Sequence, residues 1–130
     1  MVGAAAVADQ RPEAYSREKV KKQEGVETLA LVRTPDILAT LAESKRANQW
    51  LLGFAAESEH HLANAEAKRA KKRLDAVLVN DISGGQGFGL QANALTPVTS
   101  QGAQPPLGPL PKPALAQAVV AWWGAALLSP

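Results

Sequence analysis

The sequence predicts an α/β domain built on a mainly parallel sheet, and three observations predict it. The apolar run Trp50-Leu51-Leu52-Gly53-Phe54-Ala55-Ala56 is followed by a charged helical pattern and then by Ala76-Val77-Leu78-Val79, ending at Asn80-Asp81. Two apolar strands joined by a crossover helix run parallel. The run Gly3 to Ala8, stopped by Asp9 and then by Pro12, reads as a further, central strand that presents Asp9 at its carboxyl end. Between them, Thr34-Pro35-Asp36 supplies an N-cap, a proline at the first helical position and an acid at the second, so a helix is expected from Ile37 to Arg46.

Taken in order, residues 10–25 show no apolar period, and Arg17-Glu18-Lys19-Val20-Lys21-Lys22 concentrates positive charge on a loop. Such a run is either a solvated linker or a mobile basic lid suited to a polyphosphate. Glu27 to Val32 alternates weakly and reads as a strand. The helix after Pro35 places Ile37, Leu38, Leu41 and Ala42 on one face. In the crossover helix, Leu62, Ala63, Ala67, Ala70 and Leu74 form the expected apolar side, with Glu66, Lys68, Arg69, Lys72 and Arg73 covering the rest. Ser58 is the expected N-cap, with Glu59 in the first turn and Lys71, Lys72 and Arg73 in the last, which suits the helix dipole.

After Asp81 the chain changes character, since Lys112 is the one charged side chain beyond it. The stretch Ser83 to Gly89 holds four glycines in seven residues but lacks the Lys-Ser/Thr of a phosphate loop. Gln91 to Ser100 suggests a last hairpin. Residues 101–113, with five of the nine prolines, read as a connector. Residues 114–130 form an apolar carboxyl-terminal helix carrying Trp122 and Trp123, which needs a partner surface.

A chain of 130 residues suffices for one small core, here residues 1–100. The absence of cysteine excludes disulfides and thiolate chemistry. A net charge of +2 does not argue for nucleic acid. The apolar end segment falls short of the roughly 20 residues that span a bilayer. His60 and His61 are neighbours about 100° apart on a helix and do not chelate one ion, no serine sits in a nucleophile elbow, and metal ligands stay unassigned. Ligands of parallel sheets sit beyond the strands' carboxyl ends, here Phe54 to Ser58 and Asn80 to Ser83.

In order and spacing, Ala5-Ala6-Val7-Ala8-Asp9-Gln10-Arg11-Pro12, Lys19-Val20-Lys21-Lys22, Pro35-Asp36-Ile37-Leu38, Gly53-Phe54-Ala55-Ala56-Glu57-Ser58, Lys68 to Asp75 and Asn80-Asp81 resemble the carboxyl-terminal half of phosphopantothenate-cysteine ligase. That ligase is commonly fused to a flavin-dependent decarboxylase. The resemblance covers residues 3 to about 95 and implies a Rossmann-like three-layer domain, truncated at its amino-terminal half. It further implies a cytoplasmic enzyme using CTP and Mg2+, with 4'-phosphopantothenate and cysteine as substrates and a homodimer at full length. FMN is expected only with a fused decarboxylase, and neither nucleic acid nor membrane is an expected partner.

Carried over residue by residue, the nucleotide contacts fall on Asp9, Lys19, Pro35, Asp36, Ile37, Leu38, Phe54, Lys68 and Lys72. Lys19 is the catalytic lysine that clamps the phosphates. Where the family continues Ser-Asp-Asp-Asn, this chain has Leu90-Gln91-Ala92-Asn93. The family's amino-terminal glycine-rich loop and its asparagine have no counterpart, so the expectation is a fragment that does not complete the reaction alone. The alternative is a nucleotide-binding or interaction module without turnover. A nucleic-acid reading of Lys68 to Arg73 ranks last, because that helix offers no stacking side chains.

Overall fold

The computed structural model describes residues 1–19, 21, 28–83 and 92–128. Along them run β1 (Val2–Gly3), β2 (Gln10–Pro12), β3 (Leu31–Arg33), α1 (Ile37–Glu43), β4 (Leu52–Glu57), α2 (His61–Lys71), β5 (Ala76–Asp81), β6 (Asn93–Thr99), β7 (Gly102–Ala103), β8 (Leu107–Leu110) and α3 (Lys112–Leu128). The main sheet has the order β1-β4-β5-β6-β7, with β8 also pairing β6. β4 lies parallel to both β1 and β5, and the β6 side is antiparallel. β2 and β3 form a separate antiparallel ribbon.

Alternation along the strands sorts the core into two halves. Ala55, Val77, Val79 and Val98 face α1 and α2, where they meet Ala65, Leu74 and the half-buried Leu38, Leu41 and Ala42. Leu52, Ala76, Leu78 and Leu95 face α3, where Leu115, Val119 and Trp122 cover them. This is a three-layer α/β domain, with the parallel β4-α2-β5 unit that the sequence pattern predicts and the layering that the resemblance implies. Each fully buried aliphatic side chain contributes about 1.5–3 kcal/mol. At the amino-terminal end of this unit, Asp75 accepts both Lys45 Nζ (2.7 and 2.8 Å) and the Leu51 backbone N–H (2.7 Å), fastening the turn after α2 to the start of β4.

Several expectations shift. The run Gly3 to Asp9 does not form a central strand: β1 has two residues and lies at the sheet's edge, and Ala4 to Asp9 leave it exposed. Alanines offer little area to bury, so apolar composition alone does not hold the run in the sheet. Helix α1 begins at Ile37 as expected, but Asp36 and not Thr34 is its N-cap, accepting from the Ala39 N–H at 3.1 Å. The Thr34 hydroxyl donates instead to the Ala8 carbonyl, which ties the β1 exit to α1. The helix also ends at Glu43, short of Arg46.

Helix α2 likewise starts at His61, capped by His60 in a left-handed conformation with no side-chain bond, so neither Ser58 nor Glu59 plays the expected part. Its last-turn bases are Lys68, Arg69 and Lys71, while Lys72 is the C-cap and Arg73 takes the left-handed position beyond it. The strand expected from Glu27 is confined to β3, with Glu27 itself outside the described residues. The proline-rich stretch 101–113 carries β7 and β8 and the first residues of α3. The glycine-rich stretch after Ser83 lies outside the described residues. Among the described residues no helix is long and apolar enough to cross a membrane.

Candidate functional site

The largest departure from the expected pattern builds the site. Of the expected apolar side of α2, Leu62, Ala63, Ala67 and Ala70 are exposed, with Leu62 at 40%, while Leu74, just beyond the helix end, is buried as expected. The side that turns inward carries His61, Ala65, Lys68, Arg69 and Lys72, of which only Ala65 is fully buried. Long basic side chains can do this because their methylene stems cover apolar surface while their heads find polar partners. Arg69 grips Glu66 with two hydrogen bonds of 2.9 and 2.7 Å. Lys68 reaches Glu57 at the end of β4 (3.4 Å), and Lys72 reaches Asp36 at the start of α1 (2.9 Å).

The Lys72–Asp36 pair shows how lysines far down their helix come to the start of another: the carboxyl-terminal end of α2 lies beside the amino terminus of α1. Asp36 uses one oxygen to cap α1 and the other to hold Lys72. The Lys72 ammonium, then the Ala39 N–H, hold its carboxyl below the ordinary aspartate range. Glu57 is similarly shared, since its other oxygen accepts from the Asn64 amide at 3.3 Å.

Beside these pairs opens a cleft of about 710 Å³, bounded by the β1 exit, the turn from Arg33 to Leu38, Gly53 and Phe54 of β4, and Lys68, Lys72 and Leu74. That volume is within the usual range for small-molecule sites. Leu38 covers part of the sheet beside it. A Cβ on Gly3 would stand 2.7 Å from a Leu38 methyl, and one on Gly53 would stand 2.9 Å from a Leu74 methyl. The two glycines let α1 and the end of α2 approach the strands this closely.

Of the nine residues that the resemblance implies, Asp9, Pro35, Asp36, Ile37, Leu38, Phe54, Lys68 and Lys72 line this one cleft, although they are spread over more than sixty positions. Lys19 does not line it and lies in an exposed irregular stretch. The cleft follows the exit of β1 and takes only Gly53 and Phe54 from β4, so the ends of β4 and β5 contribute less than the parallel-sheet rule suggests.

Reading the sequence missed two participants. Arg33 lines the cleft and forms no ion pair among the described residues, and Glu57 neutralises Lys68 from a strand end. Arg33 stood in plain view two residues before Pro35, but a strand-end arginine has no spacing signal of its own. A second hollow, of about 550 Å³, lies between Trp50 and Trp123 and contains none of the implied residues. Among the described residues no three His, Asp or Glu side chains gather as a metal cage.

Fold and cleft together define an α/β domain with a cleft of small-molecule size beside its edge strand. The chain belongs to the family described as DNA/pantothenate metabolism flavoprotein C-terminal domain, whose model matches residues 1–125. It is 39% identical over 122 residues to the coenzyme A biosynthesis bifunctional protein CoaBC of Vibrio cholerae, covering 92% of this chain and 30% of that protein. To the CoaBC of Bacillus subtilis it is 44% identical over 97 residues, 74% of this chain and 24% of that one. The solved C-terminal domain of a CoaBC superposes with a TM-score of 0.69 at 31% identity, over 95% of this chain and 52% of that domain. The chain therefore spans less than a third of these curated relatives and about half of the solved domain.

Proposed function

We propose that this chain is the carboxyl-terminal part of a CTP-dependent ligase that joins 4'-phosphopantothenate to cysteine in coenzyme A synthesis. One observation carries the reading: eight residues implied as nucleotide contacts converge on a single cleft of suitable size. In the proposed chemistry the carboxylate of 4'-phosphopantothenate attacks the α-phosphorus of CTP. A phosphorus–oxygen bond forms as the α–β anhydride breaks and pyrophosphate leaves. The amine of cysteine then attacks the acyl carbon of the cytidylate, loses a proton, and expels CMP as the amide forms.

In this scheme the base and ribose lie against Phe54 and the turn from Pro35 to Leu38, where the N–H groups at the start of α1 face a carbonyl acceptor. Lys19 closes over the triphosphate, and its positive charge offsets the charge that builds on departing pyrophosphate. Mg2+ fits such a site without a protein cage, since it is commonly held by one or two carboxylates together with substrate phosphates. Asp9 is the cleft carboxylate that has no ion-pair partner among the described residues. The working location is the cytoplasm and the full-length form a homodimer; FMN belongs to a fused decarboxylase domain and not to this cleft.

Calorimetry with CTP and magnesium tests the reading. Saturable binding, weakened about tenfold or more in Lys19→Ala, is expected for one lost charge-assisted contact. Absence of binding by a folded chain would overturn it. A nucleotide-binding module without turnover is the second reading. Mixing the chain with a separately produced amino-terminal half of the ligase domain separates the two: restored CTP-dependent amide formation supports the ligase, and binding without turnover supports the module.

A further inference from the structure

The cations of the cleft fall into two classes. Lys68 and Lys72 each face a carboxylate. Those carboxylates are not free to swing away: Asp36 holds the Ala39 N–H with its second oxygen, and Glu57 holds the Asn64 amide. Displacing Asp36 would strip α1 of its cap. A neutralised ammonium still offers N–H donors but exerts little long-range pull on an anion, whereas an uncompensated cation exerts all of it. Arg33 has no ion-pair partner among the described residues, and it is exposed at the end of β3 and lines the same cleft.

On the proposed nucleotide reading, we infer that the cleft divides its ligand by charge: Arg33 binds the phosphates, while the carboxylate-paired Lys68 and Lys72 donate to uncharged acceptors of the base and ribose. The planar guanidinium matches two phosphate oxygens at once, which a single ammonium does not. Asp36 then acts on the ligand through Lys72, keeping that ammonium directed and electrically quiet. Lys19, outside the cleft wall and without an ion-pair partner among the described residues, adds a second positive charge, so the phosphate end is served by Arg33 and Lys19 together.

The division predicts opposite signatures for two substitutions in the whole chain. Binding of CTP, inorganic pyrophosphate and cytidine is measured at low and at physiological salt, by calorimetry for the anions and by ligand-observed NMR for cytidine. Arg33→Gln should weaken CTP and pyrophosphate about tenfold and flatten their salt dependence, leaving cytidine within twofold. Lys72→Met should weaken CTP and cytidine by similar factors, leaving pyrophosphate and the salt dependence of CTP unchanged. Circular dichroism of both variants guards against misfolding, and Arg33→Lys should restore part of the anion binding. Loss of cytidine binding in Arg33→Gln, or a flattened salt dependence in Lys72→Met, would overturn the division while leaving the nucleotide reading intact. A folded wild-type chain that binds neither CTP nor pyrophosphate would overturn both.

Discussion

Helices α2 and α3 cover opposite faces of one sheet by opposite means. Helix α3 carries a single charged side chain, Lys112, and lays Leu115, Val119 and Trp122 on the Leu52–Ala76–Leu78 face. Helix α2 turns Lys68 and Arg69, with the C-cap Lys72, toward the rest of the domain and leaves Lys71, Leu62 and three alanines to solvent. A helix whose apolar residues face the core is explained by packing alone. One that turns Lys68, Arg69 and Lys72 inward, each with a carboxylate partner, is explained by ion pairing as well as by packing. The contrast falls where the cleft opens, since Lys68 and Lys72 line it.

The contrast is tested most severely on the α3 side. Leu78→Ala, at a fully buried position, should cost about 2–5 kcal/mol in urea unfolding. A cost below about 1 kcal/mol would mean that α3 does not seal that face. Next in size is Asp36→Ala, which removes both the α1 cap and the Lys72 contact. It should cost about 1 kcal/mol. Asp36→Asn keeps an oxygen for the Ala39 N–H and should recover most of that cap.

The same pair of proteins carries a pH signature. Binding to Lys72 lowers the folded-state pKa of Asp36, so its contribution is present at neutral pH and fades as the pH falls through the acid range below about 4. The melting-temperature difference between wild type and Asp36→Asn should be small at pH 7, since the pair is half exposed, and should vanish in acid. A difference that grows on acidification would contradict the pairing. Smallest of all, Leu62→Ala should change stability by less than about 0.5 kcal/mol. A core-sized loss there would restore the face that periodicity alone assigns.

These expectations mark where the sequence is legible. The β4-α2-β5 unit reads directly because continuous apolar strands flank a charged stretch of crossover length, and α3 reads because it has no polar face to misplace. The register of α2 does not read, since periodicity counts apolar residues and cannot see that Lys68, Arg69 and Lys72 have carboxylates waiting on β4, α1 and α2 itself. The cap of α1 is misplaced by two residues because Thr34 and Asp36 are both good caps, and the Thr34 hydroxyl goes instead to the Ala8 carbonyl, distant in sequence. Motif order supplies the members of the cleft. Their distances, their charge pairing and the place of Arg33 come from the fold.

The central claim is that ligand is met by the basic side of α2 together with the start of α1. A residue-resolved NMR titration of the chain with CTP and magnesium tests it most directly. The account predicts shifts concentrated at Asp9, Arg33 to Leu38, Phe54, Lys68 and Lys72. Shifts gathered instead on Leu62, Ala63, Ala67 and Ala70, or around Trp50 and Trp123, would contradict it.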